Sequence, residues 1–141
     1  MVRLILGASG SGKTTQLIEE ANEAFKTTNG HVVFVDRDDD QMLQLDHSIR
    51  LINMEDYHID SFDRLYGLLA GVMARDYDIQ KIYIDDLHKD ILHPENLESA
   101  LTSLVTLGDE NNTTIVLALS MEKSAIPEVE GIEIEERVQE A

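Results

Sequence analysis

Apolar residues follow two kinds of spacing along this chain, and the two kinds alternate from one end to the other. Continuous apolar runs, rich in β-branched residues and closed by polar ones, occupy positions 2–6, 31–35, 81–86 and 113–120. Such runs are typical of strands that are buried on both faces of a parallel sheet. Apolar residues recur every three or four positions within 14–25, 61–75 and 94–108, which predicts three helices.

The second and third helices carry recognisable end signals. Ser61 is placed to cap the second helix, and Asp63 falls near its positive end. For the third helix, Pro94 is expected at the first position, with Glu95 beside it, and Gly108 is expected to close it.

Three stretches are less regular. Residues 42–45 and 49–53 predict either a small hairpin inserted after the second strand or a short helix followed by an edge strand. The acidic run 36–40 fails as an EF-hand loop, because its sixth and twelfth positions hold Gln41 and His47, and a solvated loop is expected. Residues 132–134 predict a fifth strand, and the polar tail 135–141 is expected to fray.

The alternation of strands and helices predicts a single α/β domain over residues 1–141. We expect a three-layer, doubly wound arrangement around a mainly parallel sheet, because strand–helix–strand units connect parallel neighbours. The length of 141 residues suits one hydrophobic core.

Composition narrows the classes of function. The chain has no cysteine, so disulfides and thiolate metal sites are excluded, and it has no apolar run long enough to span a bilayer. Its first strand begins at position 2 with no signal peptide before it, and a cytoplasmic location is expected. The net charge of −17 and the scattered basic residues argue against direct binding of nucleic acid or anionic membranes.

The first strand and first helix are joined by a segment that fits the pattern G-x-x-x-x-G-K-[ST], the P-loop or Walker A motif. The expected nucleotide-binding residues are Gly7, Ala8, Ser9, Gly10, Ser11, Gly12, Lys13, Thr14 and Thr15. Glycines allow backbone N–H groups to converge on an anion, and the helix that follows adds its own free N–H groups. Lys13 would reach the β- and γ-phosphates of a nucleotide, and the Thr14 hydroxyl would bind Mg²⁺.

Polar residues at the ends of two later strands complete the candidate site. Asp85 follows an apolar strand in the manner of a Walker B acid and is the expected second Mg²⁺ ligand. Asp86 is a candidate catalytic base, although it is one methylene shorter than the usual glutamate. Ser120 would contact the γ-phosphate or the attacking water, or cap the turn that follows it. His88 and His93 lack the spacing of a helical metal-ligand pair.

Taken with these motifs, the chain resembles the additional-strand branch of the P-loop NTPases, which includes RecA-like, AAA-like and ABC-type ATPases. The resemblance implies a strand order of 5-1-4-3-2. An LSGGQ-like signature is missing from the sequence, which excludes an ABC transporter subunit. The chain length and the segments 46–50 and 57–69 are similar to small stand-alone bacterial ATP-binding proteins, some of which are labelled as twitching-motility ATPases. That label does not extend to this chain, which lacks the boxes and the N-terminal domain of those motors.

The first functional hypothesis is a Mg-ATP-binding protein that hydrolyses ATP slowly, or acts as a switch, through a protein partner or a second copy. Arg37 and Arg137 are the weak candidates for an arginine finger, because no arginine occurs from 76 to 136.

Three alternatives remain open at this point. A nucleoside or nucleotide kinase would usually bring a cysteine-bound zinc lasso or lid arginines, which this sequence lacks. A GTPase would usually carry N-K-x-D where Ser120, Met121, Glu122 and Lys123 stand. A module that binds nucleotide without hydrolysing it is the third.

Overall fold

The computed structural model describes residues 1–37 and 44–137. Within these ranges the chain forms six strands and three α-helices. In chain order they are β1 (Val2–Leu6), α1 (Lys13–Thr27), β2 (His31–Asp36), β3 (Arg50–Asn53), α2 (Phe62–Arg75), β4 (Ile79–Ile84), α3 (Leu97–Glu110), β5 (Thr114–Leu119) and β6 (Ile132–Glu136).

All six strands belong to one sheet in the order β3-β2-β4-β5-β1-β6. Every neighbouring pair is parallel, so all the strands run in the same direction. The prediction of an α/β fold around a parallel sheet is therefore confirmed. The central strands are apolar along most of their length because both faces of the sheet are covered.

The helices divide between the two faces. On one face α1 packs through Leu17 and Ile18 against Ile5, Phe34 and their neighbours. On the other face α2 and α3 cover a larger apolar cluster. That cluster includes Leu4, Leu65, Leu69, Leu101, Leu104 and Leu117. Successive residues of a strand point to opposite faces, so each central strand supplies both clusters.

The structure decides between the two interpretations of the segment after β2. Residues 50–53 form the edge strand β3, which pairs in parallel with β2 through Leu51 and Phe34. The hairpin is wrong, because its two arms would have had to pair with each other in opposite directions. The first arm falls partly in 42–43, and this part lies outside the described residues.

The third helix begins later and ends later than expected. Pro94 lies in a turn before the helix, because the Asn96 side chain accepts from the His93 amide at 2.8 Å and donates to the Ile91 carbonyl at 2.8 Å. Gly108 lies inside α3, where a Cβ atom would approach the Thr113 carbonyl to 2.7 Å. This glycine therefore allows a close approach of chains, and the helix continues to Glu110.

The second helix follows its prediction, with Ser61 as its cap and Arg75 as its last residue. The last strand extends further than predicted. Residues 135 and 136 were expected in a fraying tail, but they continue the parallel pairing of β6 with β1, opposite Ile5 and Leu6. Among the described residues, no helix is both long and apolar enough to span a membrane.

Candidate functional site

The carboxyl ends of four strands carry the polar residues of the candidate site. Gly7 follows β1, Asp36 ends β2, Asp85 follows β4 and Ser120 follows β5. Because parallel strands end at the same edge of the sheet, these residues meet there, where ligands of open α/β sheets bind.

The loop between β1 and α1 has the backbone geometry of an anion cradle. Gly10 and Gly12 have φ angles of 82° and 92°, in the left-handed region where glycine is favoured. Gly12 is the N-cap of α1, no side chain caps the helix, and its first turn carries no acidic residue. The first N–H groups of α1 are therefore left for a ligand. The residues Ala8, Ser9, Gly10 and Thr15 are exposed around this position.

Lys13 lies folded over the start of the loop. Its Nζ donates to the Gly7 carbonyl at 2.9 Å and to the Ala8 carbonyl at 3.0 Å. The side chain is only 5% exposed, so its charge is held close to the backbone of the loop. Because this ammonium group is already largely removed from water, turning it toward phosphate oxygens would cost little additional desolvation.

Thr14 and Asp85 meet across 71 positions of sequence. The Thr14 hydroxyl lies 3.1 Å from Oδ1 and 2.9 Å from Oδ2 of Asp85 and donates to that carboxylate. Adjacent ligands of octahedral Mg²⁺ lie about 3.0 Å apart, because each is about 2.1 Å from the metal. The two residues predicted as metal ligands therefore have a spacing that fits Mg²⁺.

Asp86 and Ser120 form a second pair at the same edge. The Ser120 hydroxyl donates to Oδ2 of Asp86 at 2.8 Å. This pair follows β4 and β5, which are neighbours in the sheet. The two polar candidates that the sequence placed near the γ-phosphate are thus in direct contact with each other.

Sequence reasoning missed Asp36. It was assigned to a solvated acidic loop, but its side chain belongs to the last residue of β2 and is only 7% exposed. Val35 pairs with Ile84, which places Asp36 next to Asp85 at the edge of the sheet. The pattern that identified Asp85, an acid ending a buried strand, applies equally to Asp36 and was the available signal. Residues 38–40 of the same run lie outside the described part of the chain.

Arg137 contacts the loop, which its position near the end of the chain did not reveal. Its Nε donates to the Ser11 carbonyl at 2.7 Å, and its Nη1 donates to the Gln16 side chain at 2.9 Å. Gln16 also donates to Glu20 at 2.9 Å, and Glu20 pairs with Arg3. One connected polar network therefore runs from the loop along α1 to β1. The other candidate finger, Arg37, is exposed at the end of β2.

The ion pair behind the loop shifts the pKa of both partners. The hydrogen bond to Glu20 raises the pKa of Arg3. For Glu20, burial alone would raise the pKa, but the bonds from Arg3 and Gln16 outweigh it and lower the pKa. Both side chains are thus held in their charged forms.

Ser11 has a buried hydroxyl that finds no partner among the described residues. A Cβ atom on Gly7 would lie 2.5 Å from this Oγ, so the loop packs tightly here and requires glycine at position 7. A polar atom buried in this way next to the anion cradle fits a loop that is completed by a ligand.

The two histidines near the site pair with adjacent acids. Nδ1 of His88 lies 3.2 Å from Asp90, and Nδ1 of His93 lies 2.8 Å from Glu95. In the part of the chain that the structure describes, no group of three histidine or acidic side chains could hold a metal ion. A Mg²⁺ site of the P-loop kind needs fewer protein ligands, because the nucleotide phosphates supply the rest.

A recess of about 570 Å³ opens beside the loop. It is lined by residues 6–8, 120–124 and 136–137. It borders the cradle and is open to solvent, so a group attached to a bound phosphate can extend into it.

A scan against models of protein families finds no match to the chain. A search of curated proteins finds none either.

Proposed function

We propose that this protein binds Mg-ATP and acts as a slow ATPase or nucleotide switch. The observation that carries the proposal is the contact between the Thr14 hydroxyl and the Asp85 carboxylate. In the P-loop motif this hydroxyl is the protein's metal ligand on the loop side, and a strand-end acid is its counterpart.

The arrangement of the sheet supports the proposal. If the edge strand β3 is set aside, the remaining strands read β6-β1-β5-β4-β2 across the sheet. Numbered as the five strands expected from sequence, this arrangement is compatible with the order 5-1-4-3-2 that the resemblance to additional-strand P-loop NTPases implies. The P-loop strand β1 and the acid-ended strand β4 are separated by β5, which ends at Ser120.

In this proposal each polar residue of the site has one role in binding or hydrolysis. Lys13 moves from the carbonyls of the loop to the phosphates, while Thr14 and Asp85 would hold Mg²⁺. The metal, when bound, offsets negative charge on the β- and γ-phosphates. Asp86 orients the attacking water and accepts its proton, and Ser120 holds the Asp86 carboxylate in place through their hydrogen bond.

Turnover by a single copy is expected to be slow. Arg137 contacts the loop from the β6 side, whereas Asp86 and Ser120 lie on the β4–β5 side of β1. An arginine supplied by a partner protein or a second copy would add roughly 10³–10⁵ to the rate. We therefore propose that the nucleotide state is read by such a partner.

Calorimetric titration with ATP and with GTP, each in the presence of Mg²⁺, tests the proposal. We expect ATP to bind with Mg²⁺ and more tightly than GTP, because residues 120–123 lack the guanine-recognising pattern. Single-turnover hydrolysis by the wild type and by Asp86→Asn tests the catalytic step, and we expect the variant to bind ATP but to hydrolyse it more slowly. Absence of binding to either nucleotide would refute the proposal.

The position of Asp36 supports a second candidate function, a nucleoside or nucleotide kinase. A buried carboxylate at the end of β2, next to Asp85, could accept the proton of a hydroxyl that receives the γ-phosphate. Incubation with ATP and a panel of nucleosides and nucleotides, followed by mass spectrometry, would detect the phosphorylated product. Loss of that product in Asp36→Asn, with ATP binding retained, would favour the kinase over the ATPase.

A further inference from the structure

Arg137 forms hydrogen bonds at both ends of the candidate phosphate-binding loop. Its backbone N–H donates to the Leu6 carbonyl at 2.6 Å, directly before the loop begins. Its guanidinium donates to the Ser11 carbonyl at 2.7 Å and to the Gln16 side chain at 2.9 Å, where the loop passes into α1. One residue at the end of β6 thus connects the start and the end of the loop.

Two glycines of the motif lie close to Arg137 because they have no side chain. A Cβ atom on Gly7 would lie 2.8 Å from the Arg137 carbonyl, and one on Gly12 would lie 2.9 Å from its Nε. Both distances are shorter than a Cβ atom tolerates, so the glycines at the two ends of the motif pack directly against Arg137. The Gly7 contact is with the Arg137 backbone, which holds the loop close to the end of β6, whereas the guanidinium beside Gly12 is positioned by its hydrogen bonds to Ser11 and Gln16.

The guanidinium keeps donors and charge available for a ligand. Arg137 forms no ion pair with a carboxylate among the residues that the structure describes, and its Nη2 donates no hydrogen bond within that part of the chain. The protein carries a net charge of −17, which opposes the approach of a polyphosphate. An arginine at the cradle offsets part of that repulsion and can bind phosphate directly.

Arg137 follows a strand on the other side of β1 from the strands that carry the proposed metal-binding and catalytic acids. Thr14, Asp85 and the Asp86–Ser120 pair lie toward β4 and β5, on one side of β1. Arg137 follows β6, on the other side of β1, and lines the recess beside Gly7. Among the described residues Arg137 forms no hydrogen bond to Thr14, Asp85, Asp86 or Ser120, although Ser120 lines the same recess. Its side-chain hydrogen bonds go to Ser11 and Gln16, which supports a role in holding the loop.

We propose that Arg137 is a positioning residue that fastens the loop and strengthens binding of nucleoside diphosphates and triphosphates alike, rather than a finger that acts on the γ-phosphate. The proposal rests on the proposed nucleotide-binding function. It assigns the end of β6 to the binding site and leaves the hydrolytic arginine to a partner.

Titrations of wild type and Arg137→Gln with Mg-ADP and with Mg-ATP test the proposal. We expect the variant to bind both nucleotides about tenfold more weakly, the change for ADP matching that for ATP, which corresponds to about 1.4 kcal/mol. The single-turnover rate of hydrolysis at saturating ATP should stay unchanged, because a residue that binds both states equally alters affinity and not the chemical step.

Lys26→Gln is the matched control. This variant also removes one positive charge, but from the last turn of α1, about 20 Å from Lys13 along the helix axis. We expect it to bind both nucleotides as the wild type does. An equal loss of affinity in Lys26→Gln would attribute the effect to net charge and would overturn the proposal. Unchanged affinity in Arg137→Gln, or a lower hydrolysis rate with unchanged affinity, would overturn it too.

Hydrogen exchange in the nucleotide-free protein separates this proposal from the proposed function. The Ser11 amide donates to the Ala8 carbonyl at 3.1 Å, and we expect it to exchange faster in Arg137→Gln than in the wild type. Gln16→Ala, which removes only one acceptor of Arg137, should have a smaller effect in the same direction. If the wild type bound no nucleotide, the proposed function would fail. Unchanged Ser11 exchange would overturn the fastening of the loop independently.

Discussion

Two helices of nearly equal length begin in opposite ways. The first turn of α2 is closed by its own chain, since the Ser61 hydroxyl accepts from the Arg64 amide at 3.2 Å and Asp63 lies at the positive end. By contrast α1 begins at Gly12 with neither a side-chain cap nor an acid in its first turn. A glycine N-cap is only roughly a few tenths of a kcal/mol less stabilising than a Ser or Asp cap, so the chain leaves the first N–H groups of α1 open at little cost in stability.

The difference continues along the two helices. The buried side chains of α2 are apolar, with Leu65, Leu69 and Met73 facing the sheet. The helix α1 adds polar attachments, because Glu20 pairs with Arg3 and Gln16 links Glu20 to Arg137. A helix whose first turn is open is thus held in place by charged groups along its side, which keeps the open end correctly positioned.

Lys13→Ala should give the largest effect. It removes the charge that faces the phosphates, and we expect affinity for Mg-ATP to fall at least about 100-fold, which corresponds to about 2.7 kcal/mol. Equilibrium titration measures the change, and Lys26→Ala on the same helix is the control. A variant that binds ATP normally would show that the open end of α1 is not the phosphate site.

Asp85→Asn should weaken ATP binding only when Mg²⁺ is present. We expect about a tenfold loss with the metal, because a charged ligand becomes neutral. With EDTA the variant should bind ATP at least as tightly as the wild type, since a negative charge near the phosphates is gone. Titrations under both conditions decide this, and a loss of equal size in EDTA would contradict a role in metal binding.

Ser61→Ala should affect stability without affecting the ligand. Loss of the cap leaves the Arg64 amide unpaired, and we expect the free energy of unfolding to fall by about 1 kcal/mol. Chemical denaturation measures it. ATP affinity should stay unchanged, because an uncapped α2 still lacks the glycine loop, Lys13 and Asp85. Appearance of a second nucleotide site would show that an open helix end alone is sufficient.

Glu20→Gln should give the smallest effect, and one that depends on pH. The pKa of Glu20 is lowered in the folded protein from 4.5, so its ionised form stabilises the fold above that pH. We expect a loss of about 1 kcal/mol near neutral pH. The difference from the wild type should shrink as the pH falls below 4.5 through the lowered pKa, because the wild-type carboxyl then becomes neutral. A difference that is constant with pH would exclude the ion pair as its cause.

Local patterns predicted most of the architecture and the central part of the site. Buried strands, the Ser61 cap and a glycine-rich turn between β1 and α1 are short-range signals, and each appears in the structure where the sequence placed it. The closeness of Thr14 and Asp85 agrees with the two motifs, each of which was expected to supply one Mg²⁺ ligand.

Two of the errors originate in contacts between residues far apart in the sequence, and one originates in a local side chain that competes with the start of a helix. The hairpin interpretation of 49–53 failed because pairing with β2, and not local alternation, determines that strand. Pro94 did not start its helix because the Asn96 side chain binds the preceding turn. Arg137 was considered only as a finger, since nothing in its neighbourhood along the chain reveals that β6 places it on the loop.

The folded position of Lys13 would affect the exchange of a nucleotide bound as proposed above. Because its ammonium group already binds the Gly7 and Ala8 carbonyls, an arriving phosphate replaces two oxygen partners with others and does not satisfy an empty donor. Much of the heat expected from such a charged contact is therefore cancelled. When a product leaves, the Lys13 ammonium group can again donate to the Gly7 and Ala8 carbonyls, so its buried charge is not left without partners. If the protein binds nucleotide as proposed, this exchange of partners would favour rapid filling and emptying of the loop, as suits a protein that reports a nucleotide level rather than storing the nucleotide.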